Sequence, residues 1–287
     1  MTDHLFTFTT VLARRAWLCV WVFVLGCESP LNEEAPAVGE TAQRVVSLDY
    51  CADQFVLKFV PRHQIVAVSP DARKHFSYLR NRHPDVPSVR SSAEDVLALS
   101  PTTVVRSYGG GPRIGEFLSR AGIEVVQLGY PQDLSQVRTQ TLEMATALGQ
   151  PTAGEREIER FDARLAAIVP APELSVLYTT PSGVTTGPGS IVHELMVAAG
   201  LQNYELNAGW HDLPLERLVY MHPDRLVNAT FGDPKSHVNP WSLSRHPHVR
   251  SLVTDVPGIH IEGAKTACGG WFLLDAVEAI ATLGARH

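Results

Sequence analysis

The chain has 287 residues, of which 45% are hydrophobic and 19% are charged, and its formal net charge is -6 at pH 7. This composition is that of an ordinary globular protein, long enough for one large domain or for two lobes of about 100–150 residues each. The negative charge, with a pI near 6.0, provides no basic field to hold nucleic acid and excludes that class of partner.

Residues 1–27 have the organisation of an export signal. Arg14 and Arg15 precede an uncharged apolar run from Ala16 to Gly26. The run is far shorter than the ~20 residues that a helix needs to cross a bilayer core. It fits the hydrophobic region of a secretory signal peptide, because a surface helix of a folded domain would show a polar face that this run lacks. We therefore predict that the chain is exported.

The end of this segment resembles the lipobox of bacterial lipoproteins. Gly26 precedes Cys27, whose thiol would be acylated and which would become the N-terminus after cleavage. Leu25 is larger than the residue usual at its lipobox position, so cleavage without lipidation is the alternative. Residues 28–43 are polar and predict a flexible tether. The expected location is the periplasm, with the chain anchored to a membrane through Cys27.

Short apolar strands alternate with helices through the first half of the chain. The predicted strands span residues 44–48, 64–68, 102–106 and 124–128. The predicted helices span residues 54–60, 93–99, 114–121 and 134–148. This alternation predicts parallel βαβ units, and the nearly continuous apolar strands indicate that helices cover both faces of the sheet.

A long amphipathic helix separates this half from a second half with the same plan. Between residues 153 and 169, four apolar side chains recur at helical spacing, namely Ile158, Phe161, Leu165 and Ile168. The second half has predicted strands at 175–179, 225–228 and 259–261 and predicted helices at 191–199, 215–221 and 270–283. We predict an N-terminal lobe at 44–150, a bridging helix at 151–170 and a C-terminal lobe at 171–287.

One unit occurs in both halves at the same spacing. In residues 93–101 and 215–223, a glutamate opens a short helix, apolar residues fill it, and a proline follows seven residues after the glutamate. The two acids are Glu94 and Glu216. A glutamate in the first turn also interacts favourably with the helix dipole, which would explain each acid taken alone. Their recurrence favours two lobes built on one plan.

The order of these units over roughly residues 43–285 resembles that of the helical-backbone, or class III, substrate-binding proteins of ABC importers. The resemblance implies an α/β fold in which two parallel-sheet lobes face each other across a cleft and are joined by one long bridging helix. Ligands of that family include cobalamin, ferric siderophores and heme. The resemblance implies a binding protein, not an enzyme, that delivers a corrinoid or an iron chelate to the permease subunits of an importer.

The resemblance also gives the repeated acids a role. In cobalamin- and siderophore-binding members, a glutamate on each lobe docks onto arginines of the membrane subunits, and by position these correspond to Glu94 and Glu216. A carboxylate that meets a guanidinium accepts bidentate, charge-assisted hydrogen bonds, which fix the register of the partners. We expect these acids to be transporter-docking residues.

Ligands of open α/β sheets bind beyond the carboxyl ends of the strands, and the residues there are rich in aromatic rings and glycine. Aromatic rings offer broad, rigid contact area with a polar tip, which suits a large amphipathic ligand. Each ring could instead pack in a lobe core, and Trp271 could attach its helix to the sheet. The predicted ligand-binding residues are Tyr50, Tyr108, Tyr130, Thr186, Trp210, Phe231, Trp241 and Trp271.

Few cations accompany these residues. Arg106, Arg113 and Lys265 are the nearest to the predicted cleft. A strongly anionic siderophore would need several positive charges, so the sequence favours a corrinoid or a less charged chelate. A heme- or metal-ion-binding lipoprotein of the same fold is the alternative, as is a lipoprotein that senses a ligand without transporting it.

The motifs support neither catalysis nor a resident cofactor or metal. The chain has no GxSxG, S-x-x-K or HExxH motif, and its 12 histidines form no cluster with metal-ligand spacing. Cys51 and Cys268 each follow a strand, one in each predicted lobe. A disulfide that locks the lobes, a shared soft metal and two buried free thiols all remain open.

Overall fold

The computed structural model describes residues 43–171, 173–230 and 246–284. Several sequence predictions lie outside the described residues, namely the signal peptide with Cys27, the tether up to residue 42, Phe231 and Trp241. Within the described ranges, no helix is both long and apolar enough to cross a membrane.

The first lobe is built on four parallel strands. They are β1 (Val45–Ser47), β2 (Ile65–Ala67), β3 (Thr103–Arg106) and β4 (Glu124–Gln127). Their order across the sheet is β2-β1-β3-β4. The helices of this lobe are α1 (Tyr50–Phe59), α2 (Ala93–Ala98), α3 (Ile114–Arg120) and α4 (Leu134–Ala147).

Alternate residues of the central strands face opposite layers, as the pleat of a strand requires. Val45 and Val105 belong to the same buried cluster as residues of α1 and α4, whereas Val46 and Val104 pack with residues of α2 and α3. Both faces of the sheet are therefore covered, which explains why these strands are continuous apolar runs.

The second lobe repeats this plan. Its parallel strands are β5 (Ser175–Thr179), β7 (Gln202–Asn203), β9 (Arg225–Thr230) and β10 (Gly258–Glu262). Their order across the sheet is β10-β9-β5-β7. The helices of this lobe are α6 (Ile191–Ala198), α7 (Leu215–Tyr220), α8 (Pro247–Asp255) and α9 (Leu273–Ala281). Two further strands, β6 (Val184–Thr186) and β8 (Trp210–Asp212), form an antiparallel ribbon that the sequence did not predict.

The bridging helix α5 (Pro151–Ala166) begins at a proline, which suits the first helical position because its missing N–H needs no partner there. The helix packs against α4 of the first lobe and α9 of the second. The lobes also share a core, because the ring of Trp271 lies 5.4 Å from that of Phe55 and 5.6 Å from that of Phe59. The predicted two-lobed α/β fold is confirmed. The lobes are joined by the bridging helix and also by direct packing of side chains.

The first helix begins earlier than the sequence predicted. We expected it at residue 54, whereas α1 begins at Tyr50. The reason is Asp49, whose side chain accepts a hydrogen bond of 2.9 Å from the backbone N–H of Ala52 and so caps the helix. The cap brings Tyr50 and Cys51 into the first turn, directly after β1.

Candidate ligand-binding site

The carboxyl ends of β1 and β3 lie side by side where the chain crosses from one half of the first sheet to the other. Such a crossover is where open α/β sheets bind ligands. Asp49 follows β1, and its Oδ2 atom accepts hydrogen bonds from the backbone N–H groups of Ser107, Tyr108 and Gly109 at 2.6, 3.1 and 2.9 Å. One buried carboxylate therefore fixes the loop that carries Tyr108.

Arg106 holds the same loop from its other side. The side chain is buried, and it donates hydrogen bonds to the carbonyl oxygens of Gly109 at 3.0 Å and Gly111 at 2.9 Å. Arg106 is one of the three cations that the sequence puts nearest to the predicted cleft, and the structure shows its guanidinium occupied by this loop. Gly109 cannot be replaced here, because a Cβ atom would lie 2.2 Å from the carbonyl oxygen of Leu48.

Aromatic rings form a wall on the first lobe. The ring of Tyr50 lies 4.9 Å from that of Phe76 and 6.1 Å from that of Tyr108, in edge-to-face arrangements. Burial, together with the nearby Asp49 carboxylate, raises the pKa of Tyr50. Burial also raises the pKa of Tyr108 far above its usual value. Both phenols therefore keep their protons at neutral pH and can donate hydrogen bonds to a ligand.

The opposing wall belongs to the second lobe. Trp210 on β8 is 53% exposed, and its ring meets that of buried Tyr178 edge to face at 5.9 Å. Thr186, which pairs with Trp210 across the β6–β8 ribbon, is fully buried, and its hydroxyl donates a 3.0 Å hydrogen bond to the carbonyl oxygen of Gly209. Thr186 therefore supports the β6–β8 ribbon and offers no surface to a ligand, whereas Trp210 does.

A cavity of about 180 Å³ lies between the lobes. Tyr130 and Leu128 line it from the first lobe, and Ile191, Trp210 and Thr266 line it from the second. Among the described residues that line this cavity, none carries a charge. Of the two other predicted cations, Arg113 and Lys265, neither lines the cavity. The described part of the lining is therefore apolar and rich in hydroxyl groups.

The predicted ligand residues separate into two groups. Tyr130 is 66% exposed and Tyr108 is 46% exposed, and together with Tyr50 and Trp210 they stand in or beside the cavity. Trp271 is 5% exposed and packs between α1 and Phe272, away from the cavity lining. The sequence offered a structural role as the alternative, with Trp271 attaching its helix to the sheet; the ring does have a packing role, but its partners Phe55 and Phe59 belong to helix α1.

The two cysteines form a disulfide in the cavity wall. Cys51 and Cys268 are covalently joined, with their Cα atoms 5.5 Å apart, and both line the cavity. The disulfide is therefore the one of the three open alternatives that the structure adopts. The only signal in the sequence was that each cysteine follows a strand in a different lobe.

A buried acid fixes the base of the first wall. Asp53 on α1 accepts hydrogen bonds from the Ser47 hydroxyl and from the Ser69 backbone N–H at 2.9 Å and hydroxyl at 2.6 Å. Burial raises the pKa of Asp53 to about 6, although these hydrogen bonds oppose the rise. The acid ties β1 to the segment that follows β2.

We expect Asp53 to make stability depend on pH. Its folded pKa lies above its unfolded value, so its contribution is fully present below the unfolded pKa and is lost as the pH rises towards 7. Between pH 4 and pH 7, urea unfolding of the wild type should lose about 1–3 kcal/mol relative to Asp53→Asn. Parallel pH profiles for the two proteins would contradict the assignment.

The repeated acids occupy matching positions on the two lobes. Glu94 on α2 and Glu216 on α7 are both exposed. A buried apolar residue follows two positions after each acid, Val96 after Glu94 and Leu218 after Glu216. Because this residue packs inwards, the side of the helix that carries the acid faces solvent. The spacing that repeats in the sequence therefore reflects the same orientation of two short helices.

A family model described as periplasmic binding protein matches residues 45–251. The chain belongs to the periplasmic binding protein family. Members of this family bind small molecules, work with ABC transporters and are not enzymes, and family membership implies a periplasmic location. The resemblance to class III substrate-binding proteins that the sequence indicated is therefore confirmed. Among curated proteins, no sequence matches the chain significantly.

Solved structures of periplasmic binding proteins share the fold. The heme-binding protein RhuT from Roseiflexus sp. RS-1 is 21% identical, with a TM-score of 0.63 over 85% of this chain and 97% of its own. The heme-binding protein HutB of Vibrio cholerae is 18% identical, with a TM-score of 0.69 over 85% of this chain and 99% of its own. The vitamin B12 binding protein BtuF of Vibrio cholerae is 15% identical, with a TM-score of 0.59 over 86% of this chain and 99% of its own.

Proposed function

We propose that this chain is an exported, lipid-anchored binding protein that captures a corrinoid or a weakly charged iron chelate and delivers it to an ABC importer. The observation that carries the proposal is a pair of aromatic walls, one on each lobe, beside a cavity whose described lining is uncharged. Export and anchoring rest on the segment that ends at Cys27.

The size of the cavity supports a ligand that is only partly enclosed. Sites that bury most of a drug-sized ligand have volumes of about 300–1,000 Å³, and the cavity here has about 180 Å³. A large ligand would therefore insert one edge and rest its faces on the exposed rings of Tyr108, Tyr130 and Trp210. Such contacts provide broad apolar area with hydrogen-bond donors at the ring edges.

The absence of charge in the described lining favours one ligand chemistry over another. A periphery of neutral amides, as on a corrinoid, can be bound by hydroxyl and backbone groups such as those of Ser107, Ser190 and Thr266. Anionic chelates would leave their charges unpaired in the same place, which costs free energy. We therefore expect cobalamin to bind more tightly than a carboxylate or catecholate siderophore.

Heme is the second candidate, because two of the similar structures described above are heme-binding proteins. The exposed phenol of Tyr130 at the cavity could approach a planar iron chelate. The phenol of Tyr108 is less suited to bind iron as a phenolate, because burial and nearby acids raise its pKa. A heme ligand would also need cations for its carboxylates, and the described lining provides none.

Removing the ring of Trp210 should weaken ligand capture. We expect Trp210→Ala to raise the Kd for cyanocobalamin by about 10- to 100-fold, because an exposed aromatic wall loses its main contact. Equilibrium dialysis with cyanocobalamin, hemin and a ferric siderophore measures this. Phe117→Ala is the matched control, since Phe117 is 49% exposed on α3 and does not line the cavity. Equal affinities for the two variants would contradict the site.

Removing both docking acids should stop delivery without affecting capture. We expect the double variant Glu94→Ala and Glu216→Ala to reduce uptake of the ligand by cells at least ~10-fold, with an unchanged Kd for the purified protein. Glu159→Ala, which removes an exposed acid from α5, should leave both properties unchanged. Uptake at the wild-type rate by the double variant would exclude these acids as docking residues.

A further inference from the structure

The segment 267–271 of the second lobe is inserted against the first lobe at the floor of the cavity. The backbone carbonyl oxygen of Gly269 accepts a 2.7 Å hydrogen bond from the side-chain amide of Gln140 on α4. A Cβ atom on Gly269 would lie 2.1 Å from Cγ of Pro131, so the backbone approaches the first lobe as closely as glycine allows. The disulfide from Cys268 to Cys51 adds a covalent bond to these contacts.

A second group of contacts joins the lobes away from the cavity. The Tyr78 hydroxyl donates a 2.6 Å hydrogen bond to Asp275 of α9, and its ring stacks on Phe272 at 4.6 Å. Arg164 of α5 pairs with Asp275 at 2.7 Å and with Glu278 at 2.6 Å. None of these residues lines the cavity. The lobes would therefore stay attached without the disulfide, whose effect is local to the cavity.

The positions of the two cysteines relate the disulfide to both walls. Cys51 directly follows Tyr50 of the first aromatic wall, in the turn that Asp49 caps. Cys268 lies two residues after Thr266, in the part of the second lobe that faces the cavity. A bond between them fixes the spacing of the walls at the floor of the cavity. Both cysteines retain a little exposed surface there, 7% and 8%.

We propose that the Cys51–Cys268 disulfide is a positioning element of the ligand site, which holds the two walls at the spacing that the ligand needs and which the bound ligand covers. The inference rests on the proposed function of the cavity. A site held in its binding conformation does not lose free energy in ordering its walls when the ligand arrives. Without the bond, only a fraction of molecules would have the competent spacing, and the apparent Kd would rise by the inverse of that fraction.

The first test uses the purified chain and cyanocobalamin as the probe. We expect the double variant Cys51→Ser and Cys268→Ser, and the wild type reduced with a phosphine, to bind the probe at least ~10-fold more weakly than the oxidised wild type. Tyr78→Phe is the matched control. It removes a contact between the lobes outside the cavity, and should lower the thermal midpoint while its Kd stays within about twofold of the wild type.

The second test measures how fast the phosphine reduces the disulfide with and without ligand. If the disulfide were purely structural, ligand would not change this rate. Saturating cyanocobalamin should slow reduction of the disulfide by the phosphine at least ~10-fold, because the ligand covers both sulfur atoms. A double variant that binds with the affinity of the wild type, or a reduction rate that the probe leaves unchanged, would overturn the proposal.

A failure of the proposed function can be distinguished from a failure of this inference. If the oxidised wild type binds neither cyanocobalamin nor hemin nor a ferric siderophore, the ligand class is wrong. Hydrogen exchange of backbone amides then tests whether the disulfide positions the walls. We expect residues 128–131 and 266–270 to exchange faster in the double cysteine variant than in the wild type or Tyr78→Phe. Equal exchange in all three proteins would overturn the role.

Discussion

Replacing Asp49 with alanine should lower the free energy of unfolding by about 3–5 kcal/mol. The carboxylate is buried and accepts hydrogen bonds from the backbone N–H groups of Ser107, Tyr108 and Gly109, as well as from that of Ala52 at the start of α1. Without it, these donors lose their acceptor where water has little access. Urea unfolding at pH 7 measures the loss.

A matched control separates the loop from the helix cap. Asp133 caps α4 in the same way, accepting a 2.8 Å hydrogen bond from the N–H of Gln136, but it is only partly buried, whereas Asp49 is buried. Asp133→Ala should cost only about 0.5–2 kcal/mol, as loss of a cap does. The Asp49 variant should also bind ligand more weakly, since the loop that carries Tyr108 loses its anchor. Equal costs for both substitutions would show that Asp49 is only a cap.

Replacing Trp271 with alanine should cost about 3–5 kcal/mol of unfolding free energy. The indole is 5% exposed and packs edge to face against Phe55, Phe59 and Phe272, with the ammonium group of Lys58 5.0 Å from the ring centre. Truncation would leave a cavity where the two lobes share a core. Thermal and urea unfolding measure the loss.

The variant Trp271→Phe distinguishes packing from ligand contact. It retains an aromatic ring and should cost about 1–2 kcal/mol of stability, with the Kd for ligand within about twofold of the wild type. Trp210→Ala should behave in the opposite way, with weak binding and nearly wild-type stability, because its ring is 53% exposed. A tenfold loss of binding by Trp271→Phe would instead place this ring in contact with the ligand.

The sheets were predictable because their strands are buried on both faces. Val45 and Val46 of β1 enter different core clusters, so the strand reads as a continuous apolar run. The β6–β8 ribbon was not predictable in the same way. The residues of β8, Trp210 to Asp212, show no apolar alternation, and their pairing partners lie more than 20 residues earlier in the chain.

The candidate site was predictable in its parts but not in its assembly. Tyr50 and Tyr108 follow strands, which the sequence shows. The pairing of β1 with β3 brings the two segments side by side, and the carboxylate of Asp49 then fixes one against the other. An acid between a buried strand and a helical pattern is a cap signal, and could have placed the start of α1. The joining of Cys51 to Cys268 depends on how the lobes pack, which residue spacing does not encode.

The central claim is that the cleft between the lobes captures a large ligand whose periphery carries little charge. Isothermal titration of residues 28–287 with cyanocobalamin, hemin and an anionic ferric siderophore tests it most directly. We predict one bound molecule per chain, tightest binding for cyanocobalamin, weakest binding for the anionic siderophore, and a Kd for cyanocobalamin that is about 10- to 100-fold higher in Trp210→Ala. No heat of binding from any of the three, or tightest binding of the anionic siderophore, would contradict the account.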